Sequence, residues 1–330
     1  MTKLWVFPLE QLEMRYTAQW YKWFAQKFDE YGIDYEYVNG KQLTSSIETG
    51  EVLDAHGTNY YKLTQLASFI KKIKQRDVKS GDKLFDFDLW HTGLESLQYI
   101  KNMTNMKLDI YGIWHAGSYD HSDFTFRHGF ESWARKLEQV WGSMVTKSFV
   151  GSVYHQKMIE HMREIKTVVT GLPINIEDIC KDISIKKRRQ ITFTSRLDPE
   201  KRVDLAEEII REVRKRVKPI VFFKTHQHKL LKRDYYQCLA DSEIVLSTAE
   251  HENFGIGTIE GMTVGCIPIV PNGLSYVDYV PEIWRYKDKE DAIEKIVSIF
   301  TGEFAYPNTK QYVVKYEQSI DNMIKEMELS

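Results

Sequence analysis

Several things are scarce in this 330-residue chain, and each scarcity excludes something. Only three cysteines occur, Cys180, Cys238 and Cys266. Their odd number and lack of metal-site spacing argue against a disulfide framework and fit a reducing compartment. No run of about 18 apolar residues exists, so nothing in the sequence is expected to span a bilayer. The opening stretch MTKLWVFPLEQLEMR has no signal-peptide apolar core, because Glu10 and Glu13 come too soon. An excess of one charge is also missing. With 45 Lys and Arg against 47 Asp and Glu, the net charge is −2, and the chain as a whole has no polyanion-binding field. No repeat or low-complexity segment is present. The expectation is a soluble, cytoplasmic protein.

Aromatics, by contrast, are plentiful, with 8 Trp, 19 Tyr and 16 Phe. That composition suits a rich core and argues against disorder. The length suits two domains of ordinary size. Apolar runs at Lys3–Phe7, Ile33–Val38, Lys83–Asp88, Leu108–Trp114, Val145–Val150 and Lys166–Thr170 read as strands. Helical periodicity covers Met14–Phe28 and Tyr61–Lys74. In the second half, strands are expected at Ile191–Ser195, Pro219–Lys224, Ile244–Leu246 and Cys266–Val270. Helices are expected from Asp198 as N-cap with Pro199 first, over Ala292–Phe300, and over Gln311–Met327. Strands alternating with helices predict an α/β protein with doubly wound parallel sheets.

The stretch Ser247–Pro281 concentrates the candidate chemistry. It reads as strand end, polar loop, helix from Gly255 and second strand, and ligands in such units sit beyond the strand carboxyl ends. Glu252 and Glu260 stand eight residues apart, about 12 Å if the steps were all helical. Between them, Asn253, Phe254 and Gly255 lead into the helix, whose unpaired N–H groups and positive dipole end suit a pyrophosphate. A carboxylate on a ribose diol is a device that dinucleotide folds use. Arg196 and Lys201 occupy another strand-to-helix corner, where a guanidinium offers bidentate phosphate contact and an ammonium a point charge.

The progression His251-Glu252-Asn253-Phe254-Gly255 through Glu260, then Gly265-Cys266-Ile267-Pro268 and Pro271-Asn272-Gly273-Leu274-Ser275-Tyr276, resembles retaining glycosyltransferases of the GT-B fold. The likeness is nearest to the queuosine-tRNA mannosyltransferase group and to phage enzymes that glycosylate nucleic-acid bases. It implies two Rossmann-like domains facing across a cleft, residues 1–170 and 171–305, with a C-terminal helix, 306–330, crossing back to the first. It implies a nucleotide-sugar donor as co-substrate, no other cofactor and no metal. Glu260 would take the ribose, and Arg196, Lys201 and the N–H groups at Phe254 and Gly255 the diphosphate. Glu252 and His115 would orient the sugar. The acceptor would be a modified base in DNA or tRNA, with a small molecule or soluble glycan as the alternative, and an inactive nucleotide-sugar-binding module as the other reading.

Other features are weighed against this. The turn after the first strand, Pro8–Tyr16, has no glycine, unlike many GT-B enzymes, and Arg15 is its one cation. Asp86-Phe87-Asp88 has the spacing of a metal-binding pair, and is read as a strand-end pair or an acceptor contact. The loop with Asp120, His121, Asp123 and His128, and the His226-Gln227-His228 run, match no standard metal site. The basic run Lys186–Arg189 reads as a solvated turn before a strand. Tyr16, Trp20, Tyr21 and Trp23 would stack bases in one reading, but at helical spacing they are mostly core.

Overall fold

The computed structural model describes residues 2–12, 16–43, 54–302 and 308–329. Arg15 lies outside the described residues. The chain divides into two compact units, residues 1–171 with 320–330, and residues 172–319.

The first unit contains β1 (Leu4–Phe7), α1 (Tyr16–Glu30), β2 (Tyr35–Tyr37), α2 (Ala55–Gln75), β3 (Lys83–Asp86) and α3 (Glu95–Thr104). It continues through β4 (Asp109–Ile113), α4 (Phe124–Arg127), α5 (Glu131–Met144), β5 (Lys147–Val150), α6 (Val153–Arg163) and β6 (Val168–Val169). All six strands are parallel, in the order β2-β1-β3-β4-β5-β6. Helices cover both faces, so β1 and β3 are buried at every position; β1 reads as an unbroken apolar run, and β3 is apolar at Leu84 and Phe85 between a buried lysine and aspartate. Trp5, Phe7, Leu84, Ile110, Trp114 and Trp141 anchor one core cluster of this unit.

The second unit contains α7 (Ile176–Cys180), β7 (Arg188–Phe193), α8 (Val203–Arg216), β8 (Val221–Lys224), α9 (Lys232–Asp241) and β9 (Ser242–Leu246). It ends with α10 (Ile256–Thr263), β10 (Ile267–Pro271), β11 (Arg285–Tyr286) and α11 (Lys289–Thr301). Its five strands are also parallel, in the order β11-β10-β9-β7-β8. In both sheets the second strand lies outside the first and the third lies on its other side. Strand order therefore reverses between β1 and β3, and between β7 and β9, and such a switch point opens a crevice at the strand carboxyl ends.

Several predicted elements differ in extent. The strand expected to run to Asp88 stops at Asp86, because the Asp88 N–H turns to the Asp86 side-chain oxygen at 3.0 Å. α2 begins six residues before the predicted start, capped by Asp54, whose Oδ1 accepts the N–H groups of His56 and Gly57. The helix expected from Pro199 begins only at Val203. Pro199–Lys201 forms a single 3-10 turn, and Arg202 turns into the left-handed region (φ 49°) before the α-helix starts. The long last helix is two 3-10 turns, Thr309–Tyr312 and Val314–Gln318, followed by α12 (Ser319–Glu326). Its expected apolar face is buried throughout. The spacing Val313-Tyr316 suits three residues per turn, and only Ile320, Met323, Ile324 and Met327 carry the α period. α12 is fixed within the first unit by Lys27 to Asp321 at 3.2 Å and Lys147 to Glu326 at 3.0 Å. Within the basic run Lys186, Arg188 and Arg189 are exposed, and Lys187 is half-buried. Its ammonium donates to the Ser242 carbonyl at 2.7 Å and secures the entry to β7. No helix among the described residues is long and apolar enough to cross a membrane.

Candidate functional site

The switch point of the second sheet brings together the loops after β7 and β9. The Lys201 ammonium, almost buried, donates to the His251 carbonyl at 2.5 Å and to Glu252 Oε2 at 3.3 Å. Glu252 Oε1 in turn accepts the Gly255 N–H at 2.9 Å. The two loops are joined again where Thr248 Oγ1 donates to the carbonyls of Lys201 and Arg202, and where the Glu250 N–H donates to Glu200 O. The Ser275 N–H, after β10, reaches Glu252 O at 3.3 Å. Burial works against ionisation of Glu252. The Lys201 ammonium, with His251 and the Gly255 N–H, outweighs it and holds the carboxyl below its ordinary range.

The start of α10 is shaped by two glycines. Gly255 has φ +81°, and a Cβ there would lie 2.4 Å from the Tyr279 hydroxyl. At Gly257 a Cβ would lie 2.5 Å from Thr194 Oγ1, so the helix start packs against the end of β7. The first-turn N–H groups of α10 at Ile256 and Gly257 have no partner inside the helix and carry its positive end.

Not every expected residue takes its expected place. The Gly255 N–H, assigned to phosphate from the sequence, is committed to the Glu252 carboxylate three residues earlier. Phe254 is a core residue, its ring edge-on to Tyr316 at 4.9 Å, and Asn253 is buried beside it. Arg196 is paired with acids: its guanidinium lies 3.0 Å from Asp198 and 3.7 Å from Glu200. That pairing also explains why Asp198 makes no capping bond to the next turn.

Glu260 lies almost buried on α10, facing α9. Its Oε1 accepts from the Lys232 ammonium at 3.0 Å and the Tyr236 hydroxyl at 3.1 Å, and its Oε2 from the Tyr235 hydroxyl at 2.8 Å. The Lys232 ammonium also lies over the two tyrosine rings, at 4.9 and 5.3 Å. Sequence reasoning passed over these three residues. Their spacing, i, i+3 and i+4 in one helix, was the available signal.

In the first unit, His115 follows β4, next to the switch point between β1 and β3. Its Nε2 stands 2.7 Å from the Phe87 carbonyl, which only accepts, so Nε2 carries the proton and Nδ1 is the acceptor of the neutral ring. Burial lowers its pKa against the opposing pull of Asp88. Tyr16 stacks on it at 6.2 Å and Trp20 lies at 5.4 Å. Trp20 and Trp23 are buried, and Tyr21 stacks on Tyr37 at 3.9 Å, so this stripe is mostly core. The two acids of the Asp86-Phe87-Asp88 run are separately committed, Asp86 to His91 Nδ1 at 2.8 Å and Asp88 to the Lys62 ammonium at 2.6 Å. Among the described residues, no group of three or more His, Cys, Asp or Glu is placed to hold a metal ion.

No family model matches the chain. Over 67 residues it is 36% identical to tRNA-queuosine alpha-mannosyltransferase of Drosophila melanogaster, 20% of this chain and 18% of that protein. Over 106 residues it is 26% identical to GDP-Man:Man(3)GlcNAc(2)-PP-Dol alpha-1,2-mannosyltransferase of Dictyostelium discoideum, 26% of this chain and 21% of that protein. The chain thus spans about a fifth of the length of these curated relatives. The fold matches much more widely. Sucrose-phosphate synthase from Thermosynechococcus elongatus superposes with a TM-score of 0.71 over 99% of this chain and 98% of that one, at 10% identity. The fold is GT-B. Each parallel sheet of this GT-B chain carries candidate residues at the carboxyl ends of its strands, beside its own switch point.

Proposed function

We propose that the protein is a glycosyltransferase that moves a sugar from a nucleotide-sugar, with retention of configuration, to a base in nucleic acid. The observation that carries the reading is the Lys201–Glu252–Gly255 node at the switch point of the second sheet. It places a cation, an ionised carboxylate and a helix start at one point, a set suited to a sugar diphosphate. In the reaction, the bond between the sugar's anomeric carbon and the diphosphate oxygen breaks, and the electron pair leaves on that oxygen. The acceptor's nucleophilic atom bonds to the same carbon and gives up its proton, which the departing phosphate oxygen takes. Lys201 and the first N–H groups of α10 oppose the charge growing on the diphosphate. Arg196 joins them once it turns from Asp198. Glu252, kept ionised by Lys201, accepts from a sugar hydroxyl, and Glu260 meets the ribose. With these groups opposing the phosphates, the transfer needs no metal. His115 is assigned to substrate at the first unit's strand ends.

A nucleic-acid acceptor is favoured by the partial likeness to the tRNA-modifying enzyme. The other partial relative, whose name specifies a dolichol-linked glycan, makes a glycan the competing acceptor. Incubation with a panel of UDP-, GDP- and ADP-sugars, with and without DNA, tRNA and glycans, tests both points. Released nucleotide shows donor turnover, and mass analysis of digested nucleosides shows the acceptor. Binding of a nucleotide-sugar without any turnover would replace the enzyme by an inert binding module.

A further inference from the structure

Glu260 is not a lone carboxylate. A carboxylate offers about four acceptor positions, and three are filled, two on Oε1 by Lys232 and Tyr236 and one on Oε2 by Tyr235. What remains on the acid is a single acceptor position on Oε2. Lys232 has three N–H donors, of which one goes to Glu260, and its side chain keeps about a fifth of its surface accessible (21%). An acceptor and a charged donor therefore stand side by side at one end of α9. Tyr235, whose hydroxyl donates to Glu260 and lies 3.4 Å from where a Gly257 Cβ would stand, holds this end against the start of α10.

A vicinal diol fits such a pair better than it fits a carboxylate alone, since one of its hydroxyls can donate while the other accepts. We infer that Lys232 and Glu260 jointly read the ribose diol of the donor nucleotide, Glu260 Oε2 accepting from one hydroxyl and the Lys232 ammonium donating to the other. This assignment rests on the nucleotide-sugar reading above. It goes beyond it by making Lys232 a specificity-determining residue that selects ribonucleotides over their deoxy counterparts. A merely structural Lys232 would lock α9 to α10 and leave ligand discrimination untouched.

The test is calorimetric binding of ADP, GDP and UDP, each compared with its 2′-deoxy and 3′-deoxy form. The proteins are the wild type, Lys232→Met and Lys232→Gln. The wild type is expected to prefer the ribose form of the nucleotide it binds by roughly tenfold or more, the loss of one charge-assisted hydrogen bond. Lys232→Met is expected to weaken the ribose form by about that factor and one of the deoxy forms by less than roughly threefold. Lys232→Gln still donates an amide N–H toward Glu260 but offers no ammonium, so it must lose the preference too, and it decides the matter if the Met variant does not fold. A wild type indifferent to deoxygenation overturns the inference, as does a folded variant with the preference intact. Equal weakening of the ribose and deoxy forms reduces Lys232 to a structural residue and also overturns it. A wild type that binds no nucleoside diphosphate overturns both this inference and the donor reading beneath it.

Discussion

Lys201→Met removes the central cation of the proposed donor site while keeping most of the side-chain volume. Two interactions go with it, the donation to the His251 carbonyl and the contact with Glu252 Oε2. Stripping one partner from a fully buried ion pair costs about 3–5 kcal/mol. Glu252 is about a fifth exposed (22%) and keeps the Gly255 N–H on its other oxygen, so the cost falls to about 2–3 kcal/mol. For a domain of this size that is a fall in Tm of roughly 5–10 °C, read by calorimetry or circular dichroism. The rate effect is separate and larger. Losing one preorganised charge that faces the leaving group costs about 10²–10³ in kcat, measured as nucleotide release with saturating donor. The pH dependence adds a signed check. The Glu252 carboxyl is depressed in the folded state, so its contribution to stability is complete above the ordinary carboxylate range and is lost as pH falls through that range and below. The Tm gap between wild type and variant should therefore be widest near neutrality and close in acid. A variant with lowered Tm but turnover within about threefold of wild type would make Lys201 a loop clamp and remove it from the chemistry. A gap that does not narrow in acid would refute the ion-pair account.

Three further outcomes are expected. Gly255→Ala forces a Cβ against the Tyr279 hydroxyl at a positive φ, and should destabilise by about 2–4 kcal/mol in chemical denaturation; adding Tyr279→Phe should recover about 1 kcal/mol of that, and exact additivity would contradict the contact. Arg163 and Glu138 are both buried in the first unit and joined at 2.6 Å; Arg163→Met should cost about 3–5 kcal/mol, and Arg163→Met with Glu138→Gln should cost less than the single change. His115 should titrate by NMR below the ordinary histidine range of roughly 6.5, and because its folded-state pKa is lowered, its share of stability should be complete above that value and drain away as pH falls below it.

Much of the fold was legible in the sequence, because strands buried on both faces write themselves as apolar runs and the intervening helices as 3.6-residue periods. The loop cluster was legible for a different reason. Glu252, Gly255 and Lys201 stand at strand-to-helix corners, where a carboxylate and an ammonium can meet exposed backbone groups and a glycine can take a positive φ. What stayed hidden was which partner each charged side chain takes. Nothing around Arg196 announces that Asp198 and Glu200 will hold it, since carboxylates two and four residues away read equally well as a helix cap and a solvated turn. Nothing around Glu260 points to Lys232, Tyr235 and Tyr236, because the packing of α9 on α10 is a tertiary fact. The helix expected from Pro199 failed on a local one: Arg202 in the left-handed region breaks the helix start, and a non-glycine residue gives no warning of that conformation.

The two units put chemically different groups at corresponding points of one topology. In the second unit, the strand ends beside the β7–β9 switch point carry the nearly buried Lys201 and the positive end of α10, with Glu252 ionised between them; in the proposed donor site this set would face a ligand's negative charge. In the first unit, the strand ends beside the β1–β3 switch point carry Asp88, already balanced by Lys62, and a neutral His115 under Tyr16 and Trp20. Among the described residues, that environment is a neutral imidazole set against aromatic faces. The same strand arrangement thus carries a cation and a helix start in the second unit and a neutral histidine among aromatic rings in the first.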